Sequence, residues 1–293
     1  RNRFYITIFS AAISKLISIS RISNNDGMIN LKDLIEPIQK VAKHHGFFLE
    51  FYKNMEYKFN DKILNSLNKI DRNNVFNSVA RKYDLMNDIT SLGIHRSWKS
   101  DLINWIAPQS NQNLADIAGG TGDIAYKFLN AGGNSAHIFD INKEMIRVSK
   151  QKYRNIKNLE WSIASAENIP ALDNSFERAT MSFGLRNITD RNKSLQEIYR
   201  ILKPGGRFIC LEFSHIENDF LKKFYDLWSF KIMPLIGDKV TGNKEAYTYL
   251  VESIRKFPTQ AELSQMFSEV GFSRVKYRNL SNGIVALHSG WKI

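Results

Sequence analysis

A short apolar run, Asn113–Ala118, leads directly into Gly119-Gly120-Thr121-Gly122-Asp123. A helical pattern with Ile124, Tyr126, Phe128 and Leu129 follows at once. Strand, glycine loop and helix in that order open an α/β fold, because glycines let backbone approach a ligand where the strand ends. The alternation repeats. Ala136–Phe139 reads as a second strand ending in Asp140. Asn142 is placed to cap a helix carrying Met145, Ile146 and Val148. Leu159–Ala164 and Arg178–Phe183 read as third and fourth strands. Asp190–Leu202 carries Leu195, Ile198, Tyr199 and Leu202 at helical spacing until Lys203-Pro204-Gly205-Gly206 breaks it, and Arg207–Phe213 is a fifth strand. After a helix near Gln260–Val270, Arg274–Arg278 and Gly283–His288 lie close enough in sequence for an antiparallel hairpin. These segments predict a Rossmann-like α/β fold: a seven-stranded, mostly parallel sheet with helices on both faces and an antiparallel terminal hairpin.

Composition excludes several alternatives. The 293 residues are 43% hydrophobic and 24% charged, so the chain is globular. The single cysteine, Cys210, excludes an intrachain disulfide, argues against a cysteine-based zinc site, and sits in an apolar strand as a core residue. No spacing of His, Asp or Glu suggests a metal. The net charge of +12 suits an anionic partner or reflects a basic compositional bias. No Lys/Arg block interleaves with aromatics, so no nucleic acid is expected.

Residues 1–25 hold Arg1, Arg3, Lys15, Arg21 and five serines but no acid, which reads as a mitochondrial transit peptide. Phe4–Ser14 as a secretory signal and Phe4–Ile19 as a short anchor are competing readings, the latter shorter than the ~20 residues a span needs. Residues 26–72 read as a polar, helical or flexible lead-in. Met55 is a second candidate start, which would place the protein in a bacterial cytoplasm. Phe220–Met233 mixes aromatics with Lys222, Lys223 and Lys231. It reads as a helix packed on the sheet, or as a groove or membrane-facing helix with basic flanks.

Charge discriminates among ligands of the glycine loop. Gly120–Ala125 also satisfies the loose G-x-G-x-x-G/A dinucleotide pattern, but a dinucleotide sets its pyrophosphate on the helix N-terminus. Asp123 occupies that place and Asp116 lies upstream, and two carboxylates repel a pyrophosphate. They suit a ligand with an ammonium or sulfonium and no phosphate, such as S-adenosyl-L-methionine. Asp140, about twenty residues on, can accept from ribose hydroxyls. Ser165 and Ala166 follow the third strand, where they can read an adenine edge.

Further motifs carry a family resemblance. They are Val75-Phe76-x-x-Val79-Ala80-x-x-Tyr83-Asp84-x-Met86-Asn87-Asp88, Gly93-Ile94-His95-Arg96-x-Trp98-Lys99, Ser182-Phe183-Gly184-Leu185-Arg186-Asn187 and Leu211-Glu212-Phe213-Ser214. Tyr249-Leu250-x-Glu252-Ser253-Ile254-Arg255-x-Phe257-Pro258 and Gly283–His288 complete the set. With Asp116–Asp123 they resemble the ubiquinone/menaquinone-biosynthesis C-methyltransferase family, class I enzymes dependent on S-adenosyl-L-methionine, over residues 73–293. Gly242–Ala246 lacks an Asp that members often carry near this point. The ending Leu287–Lys292 is more similar to the mitochondrial branch.

The resemblance implies methylation of a ring carbon of 2-methoxy-6-polyprenyl-1,4-benzoquinol. It implies cofactor binding by Gly119, Gly120, Thr121, Gly122, Asp123, Asp140, Ser165, Ala166 and Ser182. Arg186 would stabilise a phenolate or orient a water, and Asn187 would hydrogen-bond the ring oxygen. Tyr247, Tyr249 and Ser253 would either face the substrate ring or simply pack. His95, His215 and His288 are the remaining titratable candidates. The implied partners are the polyprenyl quinol, the inner membrane as a peripheral surface, a multi-subunit coenzyme Q biosynthesis complex and a second copy in a homodimer. An NAD-type oxidoreductase and a silent scaffold of such a complex remain open alternatives.

Overall fold

In the computed structural model, the described residues are 87–88, 91, 93–216 and 244–293, with side chains from 249 onward in the last stretch. The expected transit peptide, the lead-in and the aromatic stretch 220–233 lie outside them. The chain divides into two compact units, 1–75, 82–95 and 223–251 in one, and 76–81, 96–222 and 252–293 in the other. In the first, Ser91 Oγ donates to Asn87 O at 2.6 Å and bonds His95 Nδ1 at 2.9 Å.

The second unit is built on a seven-stranded sheet in the order β3-β2-β1-β4-β5-β7-β6. Its strands are β1 (Asn113–Ile117), β2 (Ser135–Asp140), β3 (Leu159–Ile163), β4 (Phe176–Ser182), β5 (Leu202–Phe213), β6 (Ser273–Leu280) and β7 (Val285–Trp291). Strands β1 to β5 pair in parallel, and β7 runs antiparallel between β5 and β6. The hairpin is thus inserted with its second strand innermost. The chain builds outward from β1 to β3, then crosses back to β4. That reversal makes a switch point between β1 and β4, where an open parallel sheet leaves a crevice at its carboxyl edge.

The helices are α1 (His95–Ile106), α2 (Asp123–Asn130), α3 (Lys143–Lys152), α4 (Arg191–Ile201), α5 (Lys244–Arg255) and α6 (Gln260–Val270). Their ends follow local chemistry. Asn142 accepts the N–H groups of Glu144 and Met145 to start α3, and Asp190 accepts that of Lys193 to start α4. Thr259 and Glu262 form a reciprocal capping box at α6, and Gly271 closes it at φ 111°.

Two apolar clusters sandwich the sheet. One joins Trp98, Leu102 and Ile106 of α1 and Ile124 and Phe128 of α2 to Leu114 and Ile138. The other joins Leu195, Ile198 and Ile201 of α4 and Leu263 and Phe267 of α6 to Ala179, Phe208 and Cys210. Cys210 is fully buried, and burial pushes its thiol well above the usual range.

One expectation is corrected. The Lys203–Gly206 run ends α4 but does not delay the fifth strand, which begins at Leu202. Leu202 pairs with Phe176 and Arg207 with Arg178, so the Pro–Gly–Gly run is absorbed as an irregularity between two paired stretches. Gly205 at φ 80° makes the bend, and its N–H donates to Lys292 O at 2.7 Å.

Phe267 is completely buried and stacks on Phe208 at 5.1 Å between centroids. Phe267→Ala is expected to cost about 3–5 kcal/mol of unfolding free energy, read by denaturant titration.

Candidate active site

Of the residues named from the sequence, Gly119–Asp123, Asp140, Ser165, Ala166, Ser182, Arg186 and Asn187 lie at or just past the carboxyl ends of β1, β2, β3 and β4. Ala118, the first residue past β1, has φ 52°, followed by Gly120 at 56° and Gly122 at 83°. Phe183, the first residue past β4, has φ 56°. Left-handed backbone at a non-glycine costs about 1–3 kcal/mol and persists only where surroundings enforce it. These two turns touch, since a Cβ on Gly184 would lie 2.7 Å from that of Ala118.

The glycines do different jobs. A Cβ on Gly119 would meet Asp116 Oδ2 at 2.8 Å, and one on Gly122 would meet Ser149 Oγ at 2.5 Å and Ile138 Cδ1 at 2.8 Å. These two permit close packing. Gly120 has no heavy atom within 4 Å of the same point, so its backbone lies open. Thr121 is buried beside it.

Asp140 holds the loop. Its Oδ2 accepts Gly120 N–H at 2.8 Å and its Oδ1 accepts Asn142 N–H at 2.8 Å. Burial raises the carboxyl pKa against these two bonds. Ser165 Oγ accepts Glu167 N–H at 3.2 Å just past β3, and Ala166 is buried next to it. Ser182 Oγ, at the end of β4, is buried with no hydrogen-bond partner among the described residues. Open backbone at Gly120, a carboxylate anchored at Asp140 and an orphan hydroxyl at Ser182 fit a ligand with hydroxyl and amino groups.

The charges differ from the sequence-based expectation. Asp116 is fully buried, accepting Thr180 Oγ1–H at 2.9 Å and Ala125 N–H at 3.2 Å, and burial pushes its pKa up to about 7. It is therefore no carboxylate facing a ligand. Asp123 pairs with Lys99 Nζ at 3.0 Å. Burial raises its pKa, but Lys99, with Lys127 and Lys152, outweighs that and holds it below the usual range. The repulsion expected of two bare carboxylates is thus largely neutralised from within.

Arg186 is likewise paired. It lies in the short 3₁₀ turn Leu185–Asn187, buried, with Nη1 donating to Glu212 Oε1 at 2.9 Å and to Phe183 O. Glu212 also accepts the backbone N–H groups of Arg186 and Phe213. The guanidinium is half of a buried ion pair and not a bare cation. Asn187 ends the same turn, its N–H bonded to Gly184 O.

The histidines are held by other groups. His215 Nε2 bonds Phe257 O at 2.8 Å, and His288 Nε2 bonds Gln260 O at 3.0 Å. Burial depresses the His288 pKa to about 4. Ser253 is buried and Tyr249 half-buried in α5, and only the backbone of Tyr247 is described.

Lys99, Thr180 and Glu212 are the residues that sequence reasoning missed. Glu212 had a signal: a carboxylate inside the apolar run Phe208–Phe213 needs a buried partner. Among the described residues, no group of three or more His, Cys, Asp or Glu is arranged to hold a metal ion.

The model of the ubiE/COQ5 methyltransferase family matches residues 65–292. The chain belongs to that family. It is an S-adenosyl-L-methionine-dependent C-methyltransferase. The ubiquinone/menaquinone biosynthesis C-methyltransferase UbiE of Brucella abortus (strain S19) is 49% identical over 247 residues, 82% of this chain and 92% of that protein. The protein of the same name from Bartonella quintana (strain Toulouse) is 49% identical over 249 residues, 82% and 95% of the two. Among solved structures, a methyltransferase of Thermotoga maritima aligns with TM-score 0.54 at 19% identity, covering 75% of this chain and 99% of that one. One from Aquifex aeolicus gives 0.50 at 15%, covering 67% and 89%. At these identities the structural likeness is one of fold, and it agrees with the expected seven-stranded class I architecture.

Two measurements follow from this geometry. Asp140→Ala is expected to lower S-adenosylmethionine affinity roughly tenfold to a hundredfold by calorimetry. Gly120→Ala should bind weakly and lose only about 1–3 kcal/mol of stability to backbone strain, whereas Gly122→Ala, which adds clashes with Ser149 and Ile138, should lose far more. Asp116 also predicts a pH dependence. Its pKa is raised on folding, so its contribution is full below the ordinary aspartate value of 3.8 and is lost as pH rises through about 7. Relative to wild type, thermal melts of Asp116→Asn should therefore lose the part of the decline in stability that falls between those limits.

Proposed function

We propose that this enzyme methylates a ring carbon of 2-methoxy-6-polyprenyl-1,4-benzoquinol in ubiquinone biosynthesis. The observation that carries the reading is the family match across residues 65–292, joined to relatives named for ubiquinone/menaquinone biosynthesis. The mitochondrial-type ending Leu287–Lys292 favours the benzoquinol over the naphthoquinol of menaquinone.

When bound, S-adenosyl-L-methionine supplies the methyl group from its sulfonium. Asp140 would take the ribose hydroxyls while keeping the Gly120 N–H, and Ser182 Oγ would gain its missing partner. Ser165 and Ala166 would line the adenine. Asp123 would act through Lys99, fixing the first turn of α2. The ring carbon becomes nucleophilic as the neighbouring hydroxyl loses its proton, so groups that favour the phenolate lower the barrier. Arg186 would do this through N–H groups held in one direction by Glu212. Preorganised donors of that kind need no rearrangement during reaction. Asn187 would bond the ring oxygen, and Tyr247, Tyr249 and Ser253 would cover the ring.

We further propose that residues 1–25 direct the protein to the mitochondrial matrix, where it sits peripherally on the inner membrane within a coenzyme Q biosynthesis complex, as a homodimer. The acid-free, serine-rich start supports this, while the bacterial origin of the relatives named above supports the cytoplasmic alternative from Met55. Among the described residues, no helix is long and apolar enough to cross a membrane. A reporter fused to residues 1–25 should enter mitochondria, and a cytosolic reporter would overturn the assignment.

Incubation with labelled S-adenosylmethionine and each demethylated quinol, followed by product mass analysis, should show ring methylation of the benzoquinol in preference. Methylation of the naphthoquinol alone would refute the ubiquinone assignment, and no transfer to either would leave the scaffold alternative. Arg186→Ala breaks a buried pair and should cost about 3–5 kcal/mol in stability. Arg186→Lys, which keeps the charge but not the planar fork, should fold and lose roughly a hundredfold in kcat with cofactor affinity retained.

A further inference from the structure

Roughly 13 Å back along β4 from Ser182, at the opposite edge of the sheet from the cofactor loop, two arginines stand side by side. Arg178 of β4 and Arg207 of β5 are direct register partners in adjacent parallel strands. Both guanidinium groups lie over the indole of Trp291, at 5.6 Å and 5.1 Å from its centroid. Arg207 also lies over Trp105, at 4.9 Å. Elsewhere Arg147, Arg186 and Arg200 each meet a carboxylate. Arg178 and Arg207 meet none among the described residues. The adjacent Glu177 is engaged by Lys203 Nζ and by the N–H of Asn113.

Several donors in this cluster are unspent. Arg207 gives Nε to Ser289 Oγ at 2.7 Å and Nη1 to Trp105 O, closing the end of α1. Arg178 gives only Nη1 to the carbonyl of its own neighbour Glu177, and its Nε is buried without a partner. Burial pushes both arginines below the usual guanidinium range, and Arg178 adds to the effect on Arg207, which falls to about 10. Two like charges held together on aromatic faces, with N–H groups to spare and only the charge of Glu177, itself paired with Lys203, to offset them, are arranged for an oxyanion. Guanidinium forks match phosphate geometry, and the indoles fix their planes.

We propose that Arg178 and Arg207, framed by Trp105 and Trp291, form a binding site for a phosphate-bearing anion, separate from the catalytic crevice. The phosphate comes either as a free phosphoryl compound or on the headgroup of an anionic lipid, and the same two residues would hold it.

The test uses the full chain saturated with S-adenosylmethionine. Inorganic pyrophosphate is titrated calorimetrically, and binding to phosphatidylcholine vesicles with and without phosphatidylglycerol is measured by flotation. Arg178→Gln is the informative variant, because the Arg178 side chain hydrogen-bonds only within its own strand, to Glu177 O. It should leave the melting temperature unchanged or raised, since it relieves repulsion. It should weaken pyrophosphate binding roughly tenfold to a hundredfold. Arg178-dependent binding of pyrophosphate supports a free ligand. Arg178-dependent flotation only with phosphatidylglycerol supports the lipid source. Binding of neither, or binding that Arg178→Gln leaves unchanged, overturns the proposal, as does a variant that melts well below wild type without any change in binding.

Discussion

The carboxyl group of Asp116 ties together the three elements that meet at the switch point. It stands in β1, takes the hydroxyl of Thr180 from β4 and takes the N–H of Ala125 from the first turn of α2. A fully buried acid is costly unless bonded or protonated, and here both remedies operate. The bond to Ala125 fixes where α2 begins. That start sets the glycine loop, and Asp140 then draws the loop in through Gly120. The crevice is therefore shaped by hydrogen bonds made beneath it, before any ligand enters.

Strain is concentrated where those bonds can hold it. Ala118 and Phe183 adopt left-handed backbone at the ends of neighbouring strands, and each turn leaves the other only enough room for glycine at 184. Close behind Phe183, Glu212 pins Arg186 through both its backbone N–H and its guanidinium. A cation fixed in this way presents direction more than net charge. That distinguishes a positioning device from the free arginine that the residue type alone suggests.

Much of the fold was legible in the sequence because its strands are short apolar runs separated by capped helices. The span Gln260–Val270 is marked by Thr259 before it and Gly271 after it, and the helix occupies those residues. The irregularity at Lys203–Gly206 was less legible, because Pro and Gly signal a break and do not say that pairing resumes on both sides. The glycine loop and Asp140 were legible at the site, because conformational freedom and an acid at a strand end are local properties. The charge state of the loop was not. Lys99 lies twenty-four positions before Asp123, Glu212 twenty-six after Arg186, and only folding brings such partners together. The two carboxylates that point to S-adenosylmethionine in the sequence are buried or paired in the structure, and the cofactor follows instead from the family, with Gly120, Asp140 and Ser182 placed to suit it.

A crystal structure of the chain with S-adenosylhomocysteine tests that fit most directly. The ribose hydroxyls should lie within hydrogen-bond distance of Asp140 while Gly120 N–H stays bonded to it, with Ser182 Oγ contacting the ligand or an ordered water beside it. A ribose bound away from Asp140, or a glycine loop rebuilt around the ligand with the Asp116–Ala125 bond broken, would contradict a crevice set in advance by buried hydrogen bonds.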